Sequence, residues 1–199
     1  FGVRTQDLAR ALRRYCAGSS PAASMVAAAL TTAFCGLLRG AEVGRPDGVA
    51  FDPLLHVTRD DLTFRQRPDG TLYAVIMVRV AKRPGAPKLP LILGGGGTLL
   101  DPVTALRRMV ELDPVPAAAR ATTPLFRWPN GAAICTSDVR ALVKGLMAKL
   151  GLDPRRFGAH SLRIGGATAA LAAGIPPQLI RMMGRWSSDI YEIYCRMSE

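Results

Sequence analysis

The sequence predicts an α+β fold: a mainly helical single domain that carries a small three-stranded antiparallel sheet. Three observations lead to this prediction. Apolar residues recur at helical spacing in the first and last parts of the chain. A central stretch alternates instead between apolar and polar residues and is interrupted by turn signals. The 199 residues, 49% of them hydrophobic and 21% charged, suffice for one domain with a sizeable core.

Two helices are expected at the start of the chain. Over Thr5 to Cys16, apolar residues at helical spacing leave several arginines on the opposite side, which is typical of an amphipathic helix. Pro21 then opens a second helix, expected to run to about Leu38 with Arg39 at its end. No charged residue precedes Arg39 as far back as Arg14. Because this stretch also contains Ser, Thr, Pro and many alanines, we expect a buried core helix and no membrane span.

The middle of the chain is expected to form the sheet. Residues 44–56 are rich in Gly and Pro and are typical of a loop. The turn signal Pro68-Asp69-Gly70 separates two expected strands, and a loop at Ala81 to Pro87 precedes a third. The three strands are predicted over residues 57–65, 71–81 and 88–93. The glycine run from Gly94 to Gly97 lacks the lysine of a phosphate-binding loop and is interpreted as a flexible connector.

Capping signals place the remaining helices. One begins at Pro102 and is brought to an end by Pro114 and Pro116, and another is capped by Thr136 or Ser137 and ends at Gly151. The last third of the chain is expected to be helical in short pieces. These helices are predicted over residues 160–173, 176–183 and 188–197.

The charge balance indicates an anionic partner. Lys and Arg number 26 against 15 Asp and Glu, a formal net charge of +11. Of the 26, 22 are Arg, which suits bidentate phosphate recognition but can equally reflect the codon bias of a GC-rich genome. The four cysteines lie far apart and form no C-x-x-C pair, so neither structural zinc nor a disulfide scaffold is expected.

No signal peptide is expected at the start of the chain. The first residue is Phe1, and no basic-then-apolar leader follows it. We therefore expect an intracellular protein that is not secreted, and a chain that is part of something longer.

His160 and Arg163 are the first pair that suggests chemistry. Their spacing of three residues places an imidazole and a guanidinium on one helix face, close to the helix start, where backbone N–H groups favour an anion. That arrangement suits a phosphate. In so arginine-rich a chain the pair alone is weak, and a solvated helix start is the alternative.

The order of the surrounding motifs resembles the catalytic domain of the tyrosine recombinase (phage integrase) family. The motifs are Arg39-Gly40-Ala41-Glu42, Val80-Ala81-Lys82, Gly158-Ala159-His160-Ser161-Leu162-Arg163, and Gly184-Arg185-Trp186-Ser187-Ser188-Asp189 followed by Tyr194. They are similar to the family's first arginine motif, its lysine between two strands, its H-x-x-R box, and its His/Trp position with the nucleophilic tyrosine. The last motif is most similar to recombinases carried by eukaryotic mobile elements.

The resemblance implies a fold, an activity and partners. Residues 1–199 would form the catalytic domain, with a separate N-terminal DNA-binding domain preceding it in the family. The implied reaction is DNA strand breaking and rejoining, as in site-specific recombination or integration. The implied partners are double-stranded DNA and further copies of the chain in a synaptic tetramer. The protein would stay with DNA, in the nucleus if the host is eukaryotic, and no metal, cofactor or membrane is expected.

The chemistry of phosphodiester cleavage gives each residue a role. Tyr194 would attack the phosphorus and form a 3′-phosphotyrosine. Arg39 and Arg163 would clamp the charged phosphorane with their forked donors. Lys82 is the proposed general acid that protonates the departing 5′-oxygen, since an ammonium delivers a proton readily.

His160 and Trp186 complete the expected site. His160 would be a hydrogen-bonding partner or base near the tyrosine. Trp186 can donate its single indole N–H to the phosphate and pack under the site, but it cannot serve as a base.

Several assignments have rivals within the chain. Lys88, at the far side of the same turn, could replace Lys82. Tyr191 lies three residues before Tyr194 and shares its helix face, while Tyr194 lies eight residues after Trp186 where the family commonly has nine. Taken singly, Arg39 could be a helix-end residue with Glu42 as its local partner.

Other residues are given structural or open interpretations. His56 and Trp128 are expected to be structural, and Cys195 to be a small buried side chain. Five basic residues could each contact the DNA backbone or be solvated surface charges. They are Arg79, Arg83, Lys88, Arg181 and Arg185.

Two other functions stay open: a type IB topoisomerase, and a catalytically inactive DNA-binding domain derived from a mobile element.

Overall fold

The computed structural model describes residues 1–16, 18, 20–79, 87–95 and 99–186. Within these ranges the chain forms helices at both ends and a sheet between them. The helices are α1 (Thr5–Tyr15), α2 (Pro21–Cys35), α3 (Gly40–Val43), α4 (Pro102–Leu112), α5 (Thr136–Lys149), α6 (Ala159–Ala172) and α7 (Pro177–Gly184). The strands are β1 (Leu62–Gln66), β2 (Leu72–Arg79) and β3 (Lys88–Gly94). Short 3-10 helices cover Arg59–Asp61, Ala117–Thr122 and Pro154–Arg156.

The sheet is antiparallel throughout, in the order β1-β2-β3. In its register Phe64 lies opposite Ala74, and Ile76 lies opposite Leu91. Alternate residues of β2 are buried, which explains the apolar and polar alternation of this segment. The α+β prediction with three antiparallel strands is therefore confirmed.

The first strand begins later than the expected residue 57. Residues Arg59–Asp61 form a 3-10 turn instead, because the Asp61 carboxylate accepts hydrogen bonds from the Thr58 backbone N–H at 2.9 Å and the Thr58 hydroxyl at 3.0 Å. These bonds hold the backbone in a turn. The glycine run also starts differently from the expectation, since Gly94 is the last residue of β3.

Helix α2 is the centre of the helical core. Ten of its residues are buried, and it packs against both α4 and α6. The prediction of a helix buried on most faces is confirmed, but its end at Leu38 is wrong. The helix stops at Cys35, and Leu37 has a φ of 50°, a left-handed conformation that an α-helix cannot contain.

Arg39 consequently does not stand at the end of the buried helix. It is the residue that precedes α3, a one-turn helix in a region where no helix was expected after Leu38. The Arg39 backbone N–H donates to the Glu42 carboxylate at 2.7 Å, which caps the start of that turn.

The start of α5 also differs from the expected cap. Its N-cap is Cys135, not Thr136 or Ser137, and the Asp138 carboxylate accepts the Cys135 backbone N–H at 2.8 Å. The Thr136 hydroxyl donates to the Arg45 carbonyl instead. The end is as expected, because Gly151 adopts a positive φ of 81° just after the helix.

The other helices match their predictions closely. The observed bounds lie within a residue or two of the expected ones for α1, α4, α6 and α7. The predicted helix over 188–197 lies outside the described residues, as do Arg83 and Cys195.

Candidate functional site

Arg163 is the most deeply buried of the predicted site residues that the structure describes. It lies on α6 and is 1% exposed. Its Nη1 donates to the Leu37 carbonyl at 2.6 Å, and its Nη2 donates to the Gly184 carbonyl at 2.5 Å. The guanidinium carbon also lies 4.0 Å from the centre of the Trp186 ring, within cation–π range. Arg163 therefore joins the segment after α2 to the end of α7.

The close approach of α6 to α2 makes these contacts possible. Gly166 faces α2, where a Cβ would lie 2.1 Å from the Phe34 carbonyl oxygen. Gly165 faces the N-terminal segment, where a Cβ would lie 1.9 Å from the Val3 carbonyl oxygen. Only glycine permits such contacts, so these two residues bring α6 near enough for Arg163 to reach Leu37.

Arg39 also contacts the backbone at the end of α7. Its Nη2 donates to the Arg185 carbonyl at 3.0 Å, and its Nη1 forms an ion pair with Glu42 at 3.1 Å. The Arg39 side chain is 49% exposed, so it remains accessible although both of its Nη atoms have partners. Glu42 as the local partner of Arg39 is confirmed.

Three predicted site residues thus meet at the end of α7. Arg163 and Arg39 bind consecutive carbonyls, those of Gly184 and Arg185, immediately before Trp186. Gly184 is required there, because a Cβ would lie 1.8 Å from Cζ3 of the Trp186 ring. The Trp186 ring therefore lies against Gly184, the last residue of α7.

His160 lies in the first turn of α6, one turn before Arg163. Partial burial of the ring lowers the pKa of the His160 imidazole below its usual 6.5, and the positive charge of Arg163 lowers it further. The ring is therefore neutral at pH 7. A neutral imidazole can accept a proton or a hydrogen bond.

Lys82 and Tyr194, together with the rival Tyr191, lie outside the described residues. The strand that leads to Lys82 is described, and β2 ends at Arg79. Arg79 and Arg39 line one cleft of about 470 Å³.

Lys88, the rival of Lys82, has a charged partner. Its Nζ bonds to Oδ1 of Asp61, a residue that is itself 4% exposed. The other oxygen of that carboxylate binds Thr58. Lys88 therefore belongs to an ion pair that joins β3 to the turn before β1.

His56 and Trp128 have the structural surroundings that were expected. Nδ1 of His56 accepts the Asp52 backbone N–H at 2.9 Å, and partial burial lowers the pKa of this imidazole. The indole of Trp128 donates to Asp138 at 3.3 Å and packs against the core. Each side chain fixes a loop.

Arg185 is a participant that the sequence left unassigned. Its Nη2 donates to the Glu42 carboxylate at 2.8 Å, so Glu42 binds both Arg39 and Arg185. In the sequence, the feature that could have indicated a role for Arg185 is its position between Gly184 and Trp186. That position does not distinguish it from a solvated arginine.

The described part of the chain offers neither a metal-binding cluster nor a membrane-spanning helix. Among those residues, no group of His, Cys, Asp and Glu side chains could hold a metal ion. None of the helices described is long and apolar enough to cross a membrane.

Comparison with known proteins shows similarity in structure alone. No protein-family model matches the chain, and no curated protein matches it in sequence. The structure is similar to that of the site-specific recombinase XerH in a post-cleavage complex with a palindromic difH substrate. The TM-score is 0.66 at 16% identity, over 97% of this chain and 48% of XerH.

A second similar structure is that of FLP recombinase in a Holliday junction complex. Its TM-score is 0.57 at 12% identity, over 98% of this chain and 45% of FLP. The chain therefore spans about half the length of these two proteins. The similarity covers nearly the whole chain, and because the sequence identity is low, it establishes the fold alone. The chain has the tyrosine recombinase catalytic fold.

Proposed function

We propose that this chain is the catalytic domain of a tyrosine recombinase, which breaks and rejoins double-stranded DNA through a phosphotyrosine intermediate. The observation that supports the proposal best is the convergence of Arg39 and Arg163 on consecutive carbonyls before Trp186. These two arginines are far apart in sequence, and each belongs to a different motif. The shared fold with two DNA recombinases is a second support.

In the proposed reaction the Tyr194 oxygen attacks the scissile phosphorus. The bond from phosphorus to the 5′-oxygen breaks, and Lys82 gives that oxygen its proton, which leaves a 3′-phosphotyrosine and a free 5′-hydroxyl. Rejoining is the same exchange in reverse, with a 5′-hydroxyl as the nucleophile. Because one ester replaces another, the reaction needs no external energy source.

Arg39 is the best placed of the described residues to bind the phosphate. Half of its side chain is exposed at a cleft that Arg79 also lines. A guanidinium donor aimed at a developing oxyanion contributes on the order of 3 kcal/mol to the stabilisation of a transition state. The lowered pKa of His160 favours the neutral imidazole, which suits the proposed role of accepting the tyrosine proton.

The burial of Arg163 gives a specific reason to consider a second candidate function. Two of its nitrogens bind backbone carbonyls, and it is 1% exposed, so a purely structural role explains these contacts too. A DNA-binding domain without catalysis would need the same scaffold. In that case the chain would bind DNA and form no covalent product.

The proposal includes partners and a domain arrangement. Double-stranded DNA is the substrate, and a net charge of +11 favours its binding. Further copies of the chain would join in a synaptic tetramer. Residues 1–199 would be the catalytic part of a longer protein with a separate N-terminal DNA-binding domain.

The test is a covalent-trapping assay. Duplexes from the sequences that flank the gene carry a nick near the candidate cleavage site, so that the covalent adduct accumulates and can be mapped by denaturing gel and peptide analysis. We expect an adduct with the wild-type protein and with Tyr191→Phe, and none with Tyr194→Phe. Loss with Tyr191→Phe alone would preserve the chemistry and move the nucleophile.

Two other outcomes would change the function itself. DNA binding without an adduct, in the full-length protein, would favour the inactive binding domain. An adduct with relaxation of supercoiled plasmid, at no preferred sequence, would favour a type IB topoisomerase.

A further inference from the structure

Arg185 has an environment unlike that of a solvated surface arginine. Its side chain is 16% exposed, and its Nη1 and Nη2 donate to the Met183 carbonyl at 3.0 Å and to Glu42 at 2.8 Å. Its own carbonyl accepts Nη2 of Arg39. Arg185 and Arg39 are therefore linked twice, once through the backbone and once through the Glu42 carboxylate.

One donor of Arg185 is left without an acceptor. Its Nε is buried and has no hydrogen-bond partner among the contacts of the described residues. A buried charged donor without an acceptor is costly, and the Nε atoms of Arg59 and Arg79 share this condition, so the donor alone does not mark a binding site. A carbonyl and a carboxylate bind the guanidinium on its other nitrogens.

The backbone of Arg185 is also strained. Its φ is 55°, in the left-handed region that residues with a Cβ usually avoid. This conformation ends α7 and accompanies the position of the guanidinium against Glu42. Such strain persists where the surrounding contacts enforce it, and it occurs often at binding sites.

The local charge balance leaves a place for an anion. Arg39 and Arg185 share one carboxylate, that of Glu42, so this group of three carries a positive excess. Both guanidiniums bind the two oxygens of that single carboxylate, Arg39 through Oε1 and Arg185 through Oε2. The non-bridging oxygens of one phosphate are similarly close together, so one phosphate can be reached by both side chains.

We propose that Arg185 is a third phosphate-binding arginine of the site, which donates to the same DNA phosphate as Arg39. This inference rests on the proposed function. Glu42 keeps the two guanidiniums together, so one phosphate can meet the positive excess of both. Arg185 is thus assigned to the reacting phosphate, in place of a general contact with the DNA backbone.

The test compares a charged and a neutral phosphate at the cleavage position mapped by covalent trapping. The neutral substrate carries a methylphosphonate there, in which a methyl group replaces one charged non-bridging oxygen. The variants are Arg185→Gly, which keeps the left-handed backbone without a side chain, and Arg185→Lys, which keeps the charge without the fork. Arg155→Gly is the matched control, because the Arg155 side chain is 89% exposed.

On the normal phosphate we expect Arg185→Gly to slow adduct formation about 100-fold, the effect of losing one oxyanion donor. We expect Arg185→Lys to be intermediate and Arg155→Gly to match the wild type. On the methylphosphonate, the difference between Arg185→Gly and the wild type should fall below about 10-fold, because less charge needs neutralising. Thermal unfolding of each variant checks that the fold is intact.

The outcomes separate the two proposals. If the wild type forms the adduct and Arg185→Gly equals it, or is slowed equally on both substrates, the assignment of Arg185 is wrong and the proposed function stands. If the full-length wild type forms no adduct on any duplex, the proposed function fails and the assignment of Arg185 fails with it.

Discussion

Buried arginines are rare because the guanidinium must keep its hydrogen bonds when it leaves water. Arg163 meets this condition with the carbonyl of Leu37 after α2, with the carbonyl of Gly184 at the end of α7, and with the face of Trp186. The H-x-x-R spacing identified Arg163 as a candidate. It did not indicate the acceptors, because they lie 126 and 21 residues away in the chain.

Replacing Arg163 should destabilise the fold strongly. Arg163→Met leaves the carbonyls of Leu37 and Gly184 buried without donors, at about 1–3 kcal/mol for each. We expect the free energy of unfolding, measured in urea, to fall by about 3 kcal/mol. Arg155→Met, at an exposed position, should change it by less than about 0.5 kcal/mol. Equal stability of the two variants would contradict the structural role of Arg163.

The protonation of His160 gives a second prediction. Because its pKa is lowered in the folded protein, the unfolded chain binds the proton first as the pH falls below 6.5. The charge of His160 therefore reduces stability progressively below pH 6.5 and has no effect well above it. An NMR titration should give a His160 midpoint below 6.5, assigned by comparison with His160→Gln.

A matched variant identifies the cause of that shift. Removing the positive charge of Arg163 should raise the His160 midpoint, since that charge is one of the causes of the lowered pKa. Arg163→Lys, which keeps the charge, should raise it less. An unchanged midpoint in Arg163→Met, if the variant is folded, would show that burial alone lowers the pKa.

At the scale of elements, periodicity and caps predicted most helices and all three strands. The differences occur where side chains from distant segments determine a boundary. α2 ends early because Leu37 turns its carbonyl to Arg163, and β1 starts late because Asp61 binds Thr58. Local propensity does not contain these contacts.

The contact between α6 and α2 can be tested with one methyl group. In Gly166→Ala the new Cβ would overlap the Phe34 carbonyl oxygen, so α6 must move away from α2. Gly145→Ala is the matched control in α5, where a Cβ meets nothing within 4 Å. We expect Gly166→Ala to lower the unfolding free energy by about 2 kcal/mol. Gly145→Ala should raise it by up to about 1 kcal/mol.

The same pair should differ in function. Moving α6 displaces Arg163 from Leu37 and Gly184, so Gly166→Ala should also reduce covalent trapping of DNA. Gly145→Ala should leave trapping unchanged. A stabilised Gly166→Ala variant would mean that α6 is not held against α2 in solution.

At the scale of the whole molecule, the charge of +11 predicts salt-sensitive DNA binding. Each phosphate contact releases condensed counterions, so the binding constant for a short duplex should fall steeply between about 50 and 200 mM salt. Fluorescence anisotropy over this range measures the slope of log K against log salt. Arg39→Gln should reduce the slope by about 1 if Arg39 contacts a phosphate. A slope near zero would contradict phosphate binding.

The class of fold, the order of most helices and strands, and the residue types of the candidate site could be predicted from the amino-acid sequence. These properties depend on periodicity, caps and charge, which are local or additive along the chain. The sequence also indicated which arginines to consider, through the spacing of four motifs.

How these residues contact one another depends on packing in three dimensions. The sharing of Glu42 between Arg39 and Arg185, and the bond from Arg39 to the Arg185 carbonyl, join residues 143 and 146 positions apart. The burial of Arg163 depends on two glycines that let α6 approach its neighbours. Such contacts follow from packing in three dimensions, where a methyl group or a carbonyl decides which side chains can meet, and no local pattern records them.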